Sequence, residues 1–452
     1  MKNIILNSDS YKYSQWNQYP DGTTRVYSYI ESRGGKWDKT VFFGVQAFIK
    51  EYLLTPITKE DVDEAEALIL AHGEPFNRAG WDYIVNELKG VLPVVIKAAP
   101  EGLVIPTNNV LCTIENTDPK CYWLTSFLET ALLRAIWYPT TVATNSYMSK
   151  QIILKYLEQT GDPAGINFKL HDFGFRGVSS YESAGLGGMA HLINFMGTDT
   201  IAALLYARKY YGADVAGFSI PAMEHSTVTS WGRENEVEAY RNMLNKYAKP
   251  GALLACVSDS YDIYNACKLW GTELKQQIID SGAMVVIRPD SGDPATVVAN
   301  CLEILDKYFG SVVNEKGYKV LNNVRVIQGD GITGESIEAI LNYITSLGYS
   351  ADNVAFGQGG ALLQGVDRDT QKFAMKCSSA LINDVWIDVY KDPVTDTGKR
   401  SKKGRVTLFR NKDGNYYSGV EDWHDPVLVP VFRDGELLNE ISFDQVRANS
   451  LK

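Results

Sequence analysis

From about residue 167 to 360, short apolar runs alternate with segments whose apolar residues recur at helical spacing. Each run ends in a polar or glycine-rich cluster. Asn167–Leu170 leads into H-D-F-G-F-R-G at 171–177, Leu192–Phe195 into G-T-D-T at 197–200, and Gly217–Ile220 into P-A-M-E-H-S at 221–226. Leu253–Val257 leads into S-D-S-Y-D at 258–262, and Met284–Ile287 into R-P-D-S-G at 288–292. Val324–Ile327 leads into Q-G-D-G at 328–331, and Val354–Phe356 into G-Q-G-G at 357–360. The helices between them have readable ends. Ser179 and Glu182 read as a capping box. Asp293 and Pro294 open a helix that runs to Phe309 before Gly310. Thr200–Tyr211 stops at Gly212, and Ser336–Leu347 stops at Gly348.

Strands spaced ~25–40 residues apart with helices between them predict parallel pairing, and their unbroken apolar character predicts burial on both faces. The expected fold is α/β: a barrel-like core of about seven parallel strand–helix units over residues 161–379. In such barrels the chemistry sits at the carboxyl ends of the strands, where all seven polar clusters fall. The flanks read differently. Residues 1–160 mix short strands (Val26–Ile30, Val94–Ala98) with helices at 59–71 and 122–136. Residues 380–452 read as strands with hairpins, such as Val406–Arg410, a K-D-G turn, then Tyr416 and Tyr417. One second α+β domain, built from 1–160 plus 380–452, is the simplest arrangement.

Composition narrows the function. The 452 residues carry 44 basic and 54 acidic side chains, a net charge of −10, which argues against nucleic acid or an anionic membrane as a partner. No apolar stretch approaches the ~18 residues needed to span a bilayer, and the short apolar start before Ser10 is too brief for a signal-peptide core. Six cysteines are scattered with no C-x-x-C, which predicts free thiols in a reducing cytoplasm. Any anion this acidic chain binds must be held by a local basic site.

The strand ends supply one. They carry Arg176 and Arg288, carboxylates at Asp172, Asp199, Asp259, Asp290 and Asp330, glycines at 329/331 and 359/360, and His225. Guanidinium forks and glycine-rich backbone suit phosphate, and neighbouring carboxylates suit ribose hydroxyls or a magnesium ion. Together they suit a phosphorylated sugar bearing a diphosphate. Taken singly, each has a plainer reading: an Arg or Asp after a strand is often a structural ion pair, a lone G-x-G-G is usually a turn, and Phe173 and His225 are by default packing and polar residues. Agreement across seven successive strand ends outweighs those readings. The basic run K-R-S-K-K-G-R at 399–405 reads equally as a solvated loop or an anion-binding arm, and composition gives no role to Tyr11 in N-S-D-S-Y-K.

The strings S-D-S-Y-K, H-D-F-G-F-R-G-V-S-S, G-T-D-T, P-A-M-E-H-S-T, S-D-S-Y-D-I-Y-N-A-C, I-R-P-D-S-G, V-I-Q-G-D-G and R-S-K-K-G-R resemble the nicotinamide phosphoribosyltransferase family, in the family's order, from about residue 5 to the C-terminus. The resemblance implies synthesis of nicotinamide mononucleotide and diphosphate from nicotinamide and phosphoribosyl pyrophosphate, in NAD salvage. It implies that Phe173 stacks on the pyridine ring, and that Tyr11 of the other subunit of a homodimer stacks on the opposite face. Asp199 would accept from the carboxamide NH2. Arg288, Pro289, Asp290, Gly329, Asp330 and Gly360 would hold the ribose phosphate, Arg368 and Lys376 would reach phosphate from the neighbouring chain, and Arg176 and His225 would contact diphosphate. His225 would also be phosphorylated by ATP, and Mg2+ would bind the diphosphate through residues the sequence does not identify. A charged insertion of animal members is missing beyond Arg33, Gln358 stands where they have serine, and the tail is short, which points to a microbial or viral member.

The chemistry agrees with that set. Transfer at an anomeric carbon passes through an oxocarbenium-like state, so catalysis is mostly positioning and charge stabilisation. Two like charges ~4 Å apart repel by about 4 kcal/mol at an effective dielectric near 20, so Asp199 beside a nicotinate carboxylate would favour nicotinamide by on the order of a thousandfold. Nicotinate phosphoribosyltransferase is the nearest alternative. A non-catalytic nucleotide sensor would not need the diphosphate clamp, and an aldolase-like barrel would want a strand-end lysine that none of the clusters supplies.

Overall fold

The computed structural model describes residues 3–395, 400–421 and 425–452. The chain divides into two units: Met1–Thr144, Ala207–Ala213 and Asp367–Lys452 form one, and Asn145–Tyr206 with Asp214–Val366 form the other.

The second unit is built on six parallel strands, in the order Gly197–Thr198, Leu170–Asp172, Val354–Gln358, Val324–Gln328, Met284–Arg288, Leu253–Val257. Neighbours are in parallel register throughout, for example Gln358 with Asp172 and Val326 with Ile287. Alternate residues face opposite sides. Cys256, Val285, Ile287, Val326 and Phe356 join a core with Val298, Leu302, Leu305, Ile337, Leu341 and Ile344 of the covering helices. Ala255, Val286 and Ile327, of the opposite parity, line a cavity instead. The result is an α/β half-barrel sheet.

Two of the expected strands differ. Leu192–Phe195 is not a strand: it is the buried end of the helix Tyr181–His191 and the turn after it, and the strand is Gly197–Thr198. A short, wholly apolar run reads the same in either state, so periodicity alone misplaces it. Gly217–Ile220 forms no strand of its own. Single parallel bridges join Phe218 to Gly197 and Ala222 to Ala255, which belong to the two edge strands of the sheet.

Helix ends largely follow local chemistry. Asp293 accepts from Thr296 N–H at 2.9 Å, Pro294 takes the first turn, and the helix Pro294–Phe309 stops at Gly310. In place of the capping box expected at Ser179 and Glu182, the helix has a single N-cap bond one residue later. Ser180 accepts from Ser183 N–H at 3.0 Å, while Ser179 N–H is engaged by Gln364 Oε1 at 3.2 Å. The helix expected from Ser336 begins at Gly334, with Thr333 and Ser336 capping each other.

The first unit carries a seven-stranded antiparallel sheet in the order Val385–Asp388, Phe373–Ile382, Thr23–Ser32, Val110–Asn116, Val94–Ala98, Val429–Arg433, Glu436–Leu437. Its core gathers Tyr29, Ile30, Ile96, Ile114, Phe127, Leu132, Met375 and Phe432. The boundary falls at Asp367 rather than 380 because Phe373–Ile382 pairs along its length with Thr23–Ser32. The helix expected at 122–136 is a short turn of helix, Leu124–Phe127, followed by one 32-residue helix, Glu129–Thr160, inside which the other expected boundary moves from 160 to Thr144. Among the described residues no helix is long and apolar enough to cross a membrane. All six cysteines are free thiols.

Candidate active site

The Leu170–Asp172 strand positions two side chains of the site, Phe173 and Asp199, through the carboxyl and the backbone of its last residue. Asp172 Oδ1 accepts Gly174 N–H at 2.7 Å, and Phe173 N–H donates to the Gln358 carbonyl at 3.0 Å. The Phe173 ring then lies over the neighbouring strand at Gly357. A Cβ there would stand 1.9 Å from Phe173 Cε2, so only bare backbone leaves room for the ring. Asp199 follows Gly197–Thr198, and its N–H donates to the Asp172 carbonyl at 2.9 Å. Its carboxylate accepts from Ser219 Oγ at 2.6 Å. Burial pushes the Asp172 pKa up to about 6, despite the hydrogen bond from Gly174. His171 Nε2 lies 3.0 Å from the Phe168 carbonyl, which fixes the proton on that nitrogen, and burial holds the imidazole below its ordinary pKa.

Phosphate-type groups stand across from these. Arg288 ends the Met284–Arg288 strand, and the loop after it is tied to Asp259. Asp259 Oδ2 accepts Asp290 N–H at 3.1 Å and Ser291 Oγ–H at 2.6 Å, while Oδ1 lies 2.9 Å from His225 Nε2. Burial acts to raise the Asp259 pKa, but those hydrogen bonds outweigh it and hold the carboxyl below its ordinary value. Gln328 Oε1 accepts N–H bonds from Gly329 at 2.8 Å and Asp330 at 3.3 Å, shaping the Q-G-D-G turn.

Phe173, Arg176, Asp199, Arg288, Asp290 and Gly329 line one cavity of about 760 Å³, with Phe175, Val178, Thr200 and Gly359. A second cavity of about 370 Å³ shares Phe173, Asp199 and Arg288, passes Ala255, Val286 and Ile327, and reaches Lys169, Arg325 and Asp352 at the amino ends of the strands. Lys169 Nζ is spent on the carbonyls of Ala351, Asp352 and Val354, and burial lowers its pKa to about 8.

Gly360 and Asp330 each sit one residue beyond a lining glycine, and Pro289 is buried between Arg288 and Asp290. His225 lines neither cavity and meets the 288–292 loop only through Asp259. Its side chain is 45% exposed and Asp259's 5%. Gln358 is buried within its strand and lines neither cavity.

Tyr11, Arg368 and Lys376 belong to the other unit. Tyr11 is 55% exposed. Arg368 pairs with Asp369 at 3.0 Å. Lys376 has its pKa lowered by burial and by nearby Arg33, Lys391 and Lys12, against the opposing pull of Glu129. The described cations of the basic run are each met by a carboxylate: Arg400 by Asp392, Lys402 by Glu31, Lys403 by Asp388, and Arg405 by Glu115 and Glu421. Lys399 lies outside the described residues.

Sequence reasoning passed over Ser219, Gly357 and the linking role of Asp259. Ser219 is hidden inside an apolar run, and Gly357 looks like one more turn glycine. Among the described residues no group of three or more His, Cys, Asp or Glu could hold a metal ion by itself. Asp290, in the cavity beside Arg288, suits a magnesium ion carried on substrate phosphates, since such ions keep water and need only one or two carboxylates.

A parallel half-barrel with an arginine- and aspartate-lined cavity at its strand ends fits the phosphoribosyltransferase class, and the chain belongs to the nicotinate phosphoribosyltransferase family, whose model matches residues 168–433. Residues 3–96 match the N-terminal domain of nicotinamide phosphoribosyltransferase. A nicotinamide phosphoribosyltransferase of Xanthomonas campestris is 60% identical over 100% of this chain and 98% of its own. One from Acinetobacter baylyi is 32% identical over 97% of this chain and 95% of its own. Among solved structures, nicotinate-nucleotide pyrophosphorylase from Pyrococcus furiosus has the same fold, with TM-score 0.64 and 16% identity over 99% of this chain and 95% of that one. Human nicotinic acid phosphoribosyltransferase aligns with TM-score 0.59 and 14% identity, covering 98% and 93%.

Proposed function

We infer that the protein is a nicotinamide phosphoribosyltransferase of NAD salvage. The observation that carries the reading is that Phe173, Asp199, Arg288 and Asp290 border one cavity: an aromatic platform, an amide acceptor, a guanidinium fork and a carboxylate. The pyridine nitrogen of nicotinamide attacks the anomeric carbon of phosphoribosyl pyrophosphate, the bond to the diphosphate oxygen breaks, and its electron pair leaves with diphosphate. Phe173 holds the ring, Asp199 accepts from the carboxamide NH2, and Arg288 and Arg176 stabilise the charge gathering on diphosphate. Asp290, Asp330 and the glycine turns fix the ribose phosphate. Asp290 and the substrate diphosphate would hold magnesium, which would supply further charge neutralisation. The segment 217–222 serves as the seventh stave that turns the sheet into a ring.

ATP acts through His225. Asp259 holds the Nε2–H at 2.9 Å, which leaves the Nδ1 lone pair to take the γ-phosphoryl group as ADP departs. The enzyme works in the cytoplasm as a homodimer, each site receiving Tyr11, Arg368 and Lys376 from the neighbouring chain. The exposed Tyr11 ring and the cluster of Arg33, Lys391 and Lys12 around Lys376 support that part.

The test is a product assay with phosphoribosyl pyrophosphate and Mg2+, offering nicotinamide and nicotinate in competition. Nicotinamide mononucleotide should dominate, and Asp199→Ser should cut the preference by on the order of a hundredfold or more. An unaltered ratio in Asp199→Ser would mean another group sorts the bases. His225→Ala should keep slow transfer and lose stimulation by ATP, whereas full stimulation in that variant would remove His225 from the ATP step.

A further inference from the structure

We propose that Ser219 is a positioning residue for base selection: by donating to Asp199 Oδ1 at 2.6 Å it turns this part of the cavity wall into a surface of acceptors only. The inference rests on the reading that Asp199 meets the carboxamide of the base. A serine hydroxyl has one proton and two acceptor positions. With the proton committed to Asp199, the hydroxyl can no longer donate to an incoming carboxylate, and its remaining lone pairs join the second oxygen of Asp199 as acceptors. Such a wall accepts an NH2 group, and these two side chains offer nicotinate no donor.

Further observations support the assignment. Both residues line the same cavity as Phe173 and Arg288. Ser219 is held by its neighbour: Phe218 N–H donates to the Met196 carbonyl at 2.7 Å, and Thr198 N–H donates to the Phe218 carbonyl at 3.0 Å. Those bonds anchor the chain on either side of the pair, since Asp199 follows Thr198 directly. Asp199 also has no competing partner. Among the described residues Ser219 is the one side chain hydrogen-bonded to it. His171 in the same cavity is kept neutral, with its Nε2 proton turned to Phe168. The hydroxyl is not needed for folding, because both side chains are exposed and water would serve each of them.

The test measures KM and kcat for nicotinamide and nicotinate in Ser219→Ala, Ser219→Thr, Asp199→Ser and the double variant Asp199→Ser/Ser219→Ala. Ser219→Ala should raise the nicotinamide KM about tenfold with little change in kcat, and lower the nicotinamide:nicotinate ratio of kcat/KM about tenfold. Ser219→Thr, which keeps the hydroxyl, should restore both. In the Asp199→Ser background the alanine change should have no further effect on the ratio. A parental KM and ratio in Ser219→Ala overturns the proposal, as does a loss that Ser219→Thr fails to recover. If Asp199→Ser itself keeps the parental ratio, the reading of base recognition fails. If Asp199→Ser erodes the ratio and Ser219→Ala does not, only the role of Ser219 falls.

Discussion

Asp172 supports both side chains that would meet the base, with its buried carboxyl on the Phe173 side and its backbone carbonyl on the Asp199 side. Its Oδ1 takes Gly174 N–H, its backbone carbonyl takes Asp199 N–H, and the hydroxyls of Thr198 and Thr200 beside the carboxyl only partly offset its burial. Burial raises its pKa from 3.8 to about 6. The folded chain therefore binds this proton more tightly than the unfolded chain does. This carboxyl's contribution to stability is fully present below pH ~4 and is lost as pH rises through 6, by about 3 kcal/mol in all. Asn keeps an acceptor for Gly174 and has no charge to desolvate. Asp172→Asn should therefore unfold in urea with a free energy about 3 kcal/mol above the parent at pH 8 and about half that excess at pH 5. An excess that does not shrink as pH falls would show that the Asp172 carboxyl is not carrying the desolvation penalty.

The strands show what local sequence can and cannot say. Leu253–Val257 begins and ends where the apolar run does, and the Asp293-Pro294 start of the next long helix is a matter of capping chemistry within a few residues. Both were legible because the causes are local. Leu192–Phe195 was not, because a buried helix end and a buried strand bury the same residues. The cavity residues at strand ends, Asp199, Arg288, Asp290 and Gly329, were also legible, since a parallel sheet brings successive strand ends to one side, whereas Phe173 reads by default as a packing residue and was marked by the family resemblance alone. Gly357 and Ser219 were not legible. Their meaning lies in what the adjacent strand or loop places against them, and no pattern along the chain records it. Gly357→Ala puts this to the test. The added methyl must displace the Phe173 ring, so the nicotinamide KM should rise about tenfold, in keeping with ~1–2 kcal/mol for lost ring stacking, while the KM for phosphoribosyl pyrophosphate stays within twofold. Equal rises in both would mean that the ring does not act as a platform for the base.

For the whole molecule, the residues assigned to the reaction fall in both units. Arg288, Asp290 and Phe173 lie in the parallel-sheet unit, and Tyr11, Arg368 and Lys376 in the antiparallel one. If each active site draws the second group from a neighbouring chain, a defect in either group should be repairable by another copy. Arg288→Ala disables the cavity, and Lys376→Ala disables the donated group. Each homodimer would then be nearly inactive. After unfolding-free subunit exchange of an equimolar mixture, about half the dimers should be mixed. In a mixed dimer one site receives both defects and the other receives neither, so activity should return to about a quarter of the parental value. If instead each site is completed within its own chain, every site in the mixture keeps one defect and no activity returns. Different affinity tags on the two variants report whether mixed dimers have formed, so a failure of exchange is separable from a failure of sharing.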